Sequence, residues 1–116
     1  MVASTGREVV RSSEEIESIP HEPLEPRMMG VVNAIVREHW GTYAGVMHVA
    51  SGCRLPEHRH PTMSHHVFVL AGKVEAFGRT LGPGSYWFVP SGEGHHVRGL
   101  PPDGCSLGYV DVPDQS

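Results

Sequence analysis

The chain has 116 residues, one domain's length, with 39% apolar and 19% charged residues, a composition that excludes a disordered chain. Its formal net charge is −4 and it has no basic stripe, which argues against nucleic acid or an anionic membrane surface as the main partner. Two cysteines without a CxxC are too few for a disulfide scaffold or a zinc ribbon, and no apolar run approaches the ~18 residues of a membrane span.

Residues 1–27 are polar, acidic at Glu14, Glu15 and Glu17, and carry Pro20, Pro23 and Pro26. They read as an N-terminal arm, partly flexible or packed on a partner subunit, ahead of a domain over 28–116. Ser13-Glu14-Glu15-Ile16 opens a helical turn that Pro20 ends. No apolar h-region marks a secretory signal, so the expected compartment is the cytoplasm, with Cys53 and Cys105 as thiols. From Gly30 the pattern changes to short apolar or alternating runs. GVVNAIVRE (30–38), TYAGVMHVA (42–50), PEHRH (56–60) and HHVFVLAG (65–72) read as strands. KVEAFGRTL (73–81) reads as one alternating strand, and Gly82-Pro83-Gly84 as a turn. SYWFVP (85–90) reads as a buried strand closed by proline, followed by strands HHVRGL (95–100) and CSLGYVDV (105–112). Segments of five to nine residues between regular turn signals predict an all-β sandwich or barrel of antiparallel strands. Trp40, Tyr43, Met47, Phe68, Tyr86, Trp87, Phe88 and Tyr109 are expected to be mostly core.

Nine histidines are the unusual feature, and six of them fall in two clusters between positions 58 and 96. His58 and His60 are two apart, so on a strand they share a face, about 6.6 Å apart along the chain. Imidazole nitrogens bind zinc-like ions at about 2.0–2.1 Å, and two such rings converge on one ion. His65 follows a turn-length gap and returns on a neighbouring strand. His95 is delivered by the turn Pro90-Ser91-Gly92-Glu93-Gly94. His66 and His96, next to these on their strands, point to the opposite face. His48 reads as an ordinary strand histidine, and His21 and His39 as incidental. Glu57 and Glu93 read as surface carboxylates that stand near ligands.

The spacing of these residues resembles the two motifs of the cupin superfamily. The first, G-x5-H-x-H-x3–4-E-x6-G, is matched by Gly52, His58, His60, His65 and Gly72, with His65 where the family has glutamate. The second, G-x5-P-x-G-x2-H-x3-N, is matched by Gly84, Pro90, Gly92 and His95, with Gly99 where the family has asparagine. The resemblance covers 52–99 directly. It implies a double-stranded β-helix, or jelly-roll barrel, and metal ligands His58, His60, His65 and His95.

Four neutral imidazoles bring no charge, so such a site keeps the full +2 of its ion and favours anionic oxygen ligands. The expected cofactor is one divalent transition metal per chain, with iron, manganese or copper ahead of zinc or nickel. The resemblance implies a small-molecule substrate and a homodimer. It also leads to a metal-dependent enzyme, with oxygen-dependent, dioxygenase-like cleavage of an oxygen-rich substrate first. A redox-neutral cyclase, isomerase or lyase comes second and a non-catalytic binding module third. No motif marks a catalytic acid or base.

Overall fold

A computed structural model describes residues 8–23, 30–59 and 62–114, with only the backbone at 56–59 and 95. Its elements run α1 (Ser13–Glu17), β1 (Glu22–Pro23), β2 (Val31–His39), β3 (Thr42–Val49), β4 (Arg54–Arg59), β5 (Met63–Gly72), β6 (Val74–Ala76), β7 (Arg79–Leu81), β8 (Tyr86–Val89), β9 (Gly94–Gly99) and β10 (Cys105–Pro113). The pairing is antiparallel throughout. A six-stranded sheet has the order β1-β2-β3-β10-β5-β8, and a four-stranded sheet the order β4-β9-β6-β7. The chain crosses between sheets repeatedly, as the expected jelly roll requires. The fold class read from the sequence stands.

The core is built by alternation. Val67 and Val69 of β5, Trp87 and Val89 of β8, and Leu107 and Tyr109 of β10 are buried and meet Leu55, Val74 and Val97 of the other sheet. Between the two sheets lies a cavity of about 10 Å³, lined by Met47, Leu55, Val67 and Trp87 beside His65 and Tyr109. That is room for about one water, so the lower barrel is packed rather than hollow.

Three expectations need correction. KVEAFGRTL is not one strand: β6 and β7 form a hairpin whose turn, Phe77-Gly78, has φ of 53° and 71°. Two consecutive positive φ values suit the right-handed twist of a two-residue hairpin, a turn that alternation alone does not reveal. SYWFVP is not buried on both faces, because Tyr86 and Phe88 point outward. The aromatic residues are not mostly core either. Trp87 and Tyr109 are buried, whereas Trp40, Phe68, Tyr86 and Phe88 are exposed. The period of two that buries one residue turns its neighbours to the outer face, where they stay exposed among the described residues.

The N-terminal segment packs on that same outer face further along. Ser12 caps α1: its Oγ accepts from the Glu15 amide at 3.1 Å, and the Glu15 carboxylate accepts from the Ser12 amide at 2.9 Å. Beyond the helix, the His21 ring stacks on His48 of β3 with centroids 5.0 Å apart. His48 Nδ1 is hydrogen-bonded to Ser106 Oγ at 2.7 Å. Burial first and the His21 ring second hold His48 below the usual imidazole range, against Glu17, which raises it. A histidine with a depressed folded-state pKa is protonated more readily in the unfolded chain. Its contribution is therefore complete above the ordinary pKa of about 6.5 and is lost as pH falls through that value. The melting temperature is expected to drop on acidification below that point. His48→Gln should flatten that part of the profile, and an unchanged slope would show that His48 is not its source.

Cys53 is partly exposed and Cys105 buried, and both are free thiols. Burial pushes the Cys105 thiol up to about 11. At pH 8 its thiolate is then about one part in a thousand. A thiol reagent is expected to modify one cysteine per native chain quickly and the second only on unfolding. Equal rates for the two would show that Cys105 is more open than its packing indicates.

Candidate metal centre

β5 alternates with His65, Val67 and Val69 inward and His66, Phe68 and Leu70 outward. The inward facing of His65 is thus fixed by the same apolar pattern that builds the core. His65 is only 7% exposed and so is Asp111, its cross-strand partner on β10. His65 Nδ1 is bonded to Asp111 Oδ1. An ionised carboxylate only accepts, so the ring donates from Nδ1 and would coordinate a metal through Nε2. A histidine held by a buried carboxylate through its other nitrogen is the usual support of a metal-ligating imidazole. Tyr109 lies beside it, with ring centroids 5.7 Å apart. Its hydroxyl donates to Asn33 Oδ1 at 2.7 Å. Burial raises the phenol above its usual range, the Asn33 bond opposes this, and the Asp111 charge adds to it.

The other three candidate ligands are placed only in part. His58 of β4 and His95 of β9 are register partners across an antiparallel ladder. A bulge in β4 between Leu55 and His58 sets this pairing, because it adds one residue to β4 relative to β9. The side chains of His58 and His95, and all of His60, lie outside the described residues. Among the described residues no group of three or more His, Cys, Asp or Glu side chains forms a metal cluster. His66 faces outward, with Nδ1 2.9 Å from the Tyr86 hydroxyl. His96 and Glu93 are exposed. His39 stacks on Trp40 with centroids 5.4 Å apart. The Glu57 side chain also lies outside the described residues.

Two polar groups of this region escaped the sequence reading. One is Asp111, which had a signal: β10 runs Cys105, Leu107, Tyr109, Asp111 along its buried face, and a carboxylate on an apolar stripe needs a partner. The other is Trp87, whose buried Nε1 has no hydrogen-bond partner among the described residues. The motif's final asparagine is Gly99 here because the backbone of Val49 and Ala50 passes directly over it. A Cβ at this position would lie 2.6 Å from the Val49 oxygen.

Residues 10–111 match the ChrR Cupin-like domain family. The chain belongs to this family of cupins. No curated protein is a significant match to this cupin's sequence. Among solved structures, it is similar to a predicted oxalate decarboxylase from Thermotoga maritima, with TM-score 0.74 and 20% identity over 92% of this chain and 100% of that one. It is similar to the polyketide cyclase RemF from Streptomyces resistomycificus, with TM-score 0.71 and 22% identity over 91% and 81%. A third likeness is to a chain of the Rhodobacter sphaeroides complex of SigE with the anti-sigma ChrR, with TM-score 0.70 and 19% identity over 85% and 50%. At these identities the likenesses show the fold. Among the described residues of this cupin, no helix is long and apolar enough to cross a membrane.

Proposed function

We propose that this cupin is a metal-dependent enzyme acting on a small, oxygen-rich organic molecule, with His58, His60, His65 and His95 as ligands of one divalent transition metal. The observation that carries the reading is the Asp111–His65 pair, buried where the other buried side chains among the described residues are apolar. A carboxylate and an imidazole are costly to bury, and the pair is best accounted for by what the imidazole's other nitrogen serves. The cross-strand register of His58 and His95 supports it, as does the motif spacing.

The metal, when bound, supplies a Lewis acid that draws anionic oxygen donors and orients them. The chain's own residues supply the rest. Asp111 holds the proton at His65 Nδ1 and so fixes the ring's tautomer and angle. Met47, Leu55 and Val67 keep water from the barrel interior. Trp87 lines the same cavity, and its buried Nε1–H, without a hydrogen-bond partner among the described residues, is a donor available to an acceptor atom. Oxygen-dependent cleavage by iron, manganese or copper is the leading reaction, and redox-neutral chemistry of the cyclase, isomerase or lyase kind is the alternative. A non-catalytic module, suggested by the description of ChrR as an anti-sigma in the similar Rhodobacter sphaeroides complex, is the reading that remains if no substrate turns over.

Elemental analysis of wild type and His58→Ala, both purified without chelator, tests the site. About one transition metal per chain, lost in the variant, is the expected result. No metal in either protein, even after reconstitution, would sink the proposal. Oxygen uptake in a substrate screen then separates cleavage from redox-neutral turnover. Asp111→Asn gives a finer test, because an amide in place of the carboxylate holds His65 less firmly. Metal affinity is expected to fall about 10–100-fold with the β-sheet circular dichroism unchanged. Wild-type affinity in Asp111→Asn would remove Asp111 from the centre.

A further inference from the structure

A five-residue helix does not hold itself together in water, where isolated helices shorter than ~12–15 residues are marginal. α1 therefore owes its place to the sheet it lies on, and its grip there is light. No residue of α1 is buried, and Ile16 alone of its five residues is half-buried. A groove of about 220 Å³ remains between this segment and β3, β5 and β10, lined by Glu17, Val46, Leu70 and Ser106 among others. Segments with few buried contacts are the ones that open locally, ahead of the rest of a fold.

A ring pair bridges the groove. His21, beyond the end of α1, stacks on His48 of β3 with centroids 5.0 Å apart and planes at 27°. Each ring is tied down through Nδ1. His21 Nδ1 lies 2.7 Å from Ile19 O, and a carbonyl only accepts, so the neutral ring carries its proton there and has a bare lone pair at Nε2. That Nε2 is buried without a hydrogen-bond partner among the described residues. His48 Nδ1 is bonded to Ser106 Oγ at 2.7 Å.

Such a contact suits neutral rings. With both protonated, two cations would stand 5.0 Å apart in a half-buried site, a repulsion worth about tenfold or more in the equilibrium even after screening by water. A proton on His21 Nε2 would also add a buried N–H with no acceptor among the described residues. Little stands nearby to offset this. α1 brings the Glu17 carboxylate, β10 brings Ser106, β5 brings Leu70, and the register partner of His48 on β2 is Val32. Glu22, next after His21, lines a separate groove with Asn33 and Ile35. Glu17 draws a proton towards His48, but burial and the His21 ring outweigh it.

We propose that residues 8–21 form an acid-released strap, clamped over the outer face of β3 by the neutral His21–His48 stack and freed by protonation of these rings while the barrel stays folded. The clamped form binds fewer protons than the released form, so release is favoured as pH falls through the ordinary histidine range near 6.5. One proton taken up on release raises the released-to-clamped ratio about tenfold per pH unit, and two raise it about 100-fold. Release uncovers Val46, Leu70 and Ser106 on the groove floor. The strap is independent of the metal reading, since His48 alternates with the buried Met47 and Val49 and so faces away from the barrel interior.

Nuclear magnetic resonance of the purified chain, with labelled histidine rings and backbone amides, tests the strap. Magnetisation transfer between the His21 and His48 rings is expected at pH 7.5 and is expected to be lost by pH 5. The backbone of residues 13–19 should lose its order over the same range, while the amide signals of β3 and β10 stay dispersed. His48→Phe and His21→Phe each keep a ring in the stack and remove a charge, so both should remain clamped at pH 5. His21→Phe lies on the segment itself and leaves the sheet unaltered. Glu17→Gln removes the carboxylate that favours a charged His48 and should move release to higher pH. A wild-type stack that persists at pH 5 would overturn the proposal, as would release of both phenylalanine variants at the wild-type pH. Loss of the β3 and β10 signals together with those of residues 13–19 would overturn it too, because the transition would then be global unfolding.

Discussion

His65→Ala is expected to weaken binding of a divalent transition metal by more than about 100-fold, beyond what loss of an outer partner costs, and His66→Ala to leave it nearly unchanged. The two residues are adjacent in sequence and opposite in space. His65 is buried against Asp111, and His66 lies on the outer face against Tyr86 and Phe88. His65→Ala also strips Asp111 of a buried partner, which costs about 3–5 kcal/mol and confounds binding with folding. His65→Asn separates the two effects. Its side-chain amide stands where Nδ1 stood and still donates to Asp111, but it has no atom at the Nε2 position. Calorimetric titration with zinc or manganese should therefore show His65→Asn folded and without high-affinity binding. Full binding by His65→Asn, or a greater loss from His66→Ala, would place the ligand on the other face of β5.

Gly104→Ala is expected to cost more than about 3 kcal/mol in urea unfolding, and Gly52→Ala only about 1–2 kcal/mol. Both glycines are in left-handed conformation, with φ of 73° and 81°. The backbone strain of adding a Cβ is therefore similar at the two positions. The surroundings differ. A Cβ at Gly104 would overlap the Val49 carbonyl and come within 2.7 Å of the Ser51 amide, while a Cβ at Gly52 meets none of the described residues within 4 Å. Neither neighbour at Gly104 can swing aside, because both are backbone. Gly104 also ties the structure together: its amide donates to Leu100 O at 2.8 Å and its carbonyl accepts from Lys73 at 2.9 Å. Equal unfolding midpoints for the two variants would show that the chain relaxes around Gly104.

Much of the fold was legible because it is written locally. Alternation over 42–50 and 105–112 marks β3 and β10, turn residues punctuate the strands, and spacing chose His65 over His66 for the inward face. The alternation of β10 marks Asp111 as buried but does not name its partner. Asp111 lies 46 residues from His65, and nothing short of the β5–β10 register brings the two opposite each other. The turn at Phe77-Gly78 was hidden for a different reason, since a phenylalanine at positive φ runs against its own preference and is held there by the hairpin.

The sequence by itself determined most of the strands, the all-β class and the two histidine clusters, because a period of two and glycine-proline turns act over a few residues. Only the tertiary structure decided which carboxylate supports His65, where residues 8–23 lie, and that Phe68, Tyr86 and Phe88 face outward and are about half exposed. Those outcomes depend on pairing between strands far apart in the chain and on what covers the second face of a sheet. Apolar character says that a residue is suited to burial, and only the assembled sheets determine whether anything lies against it.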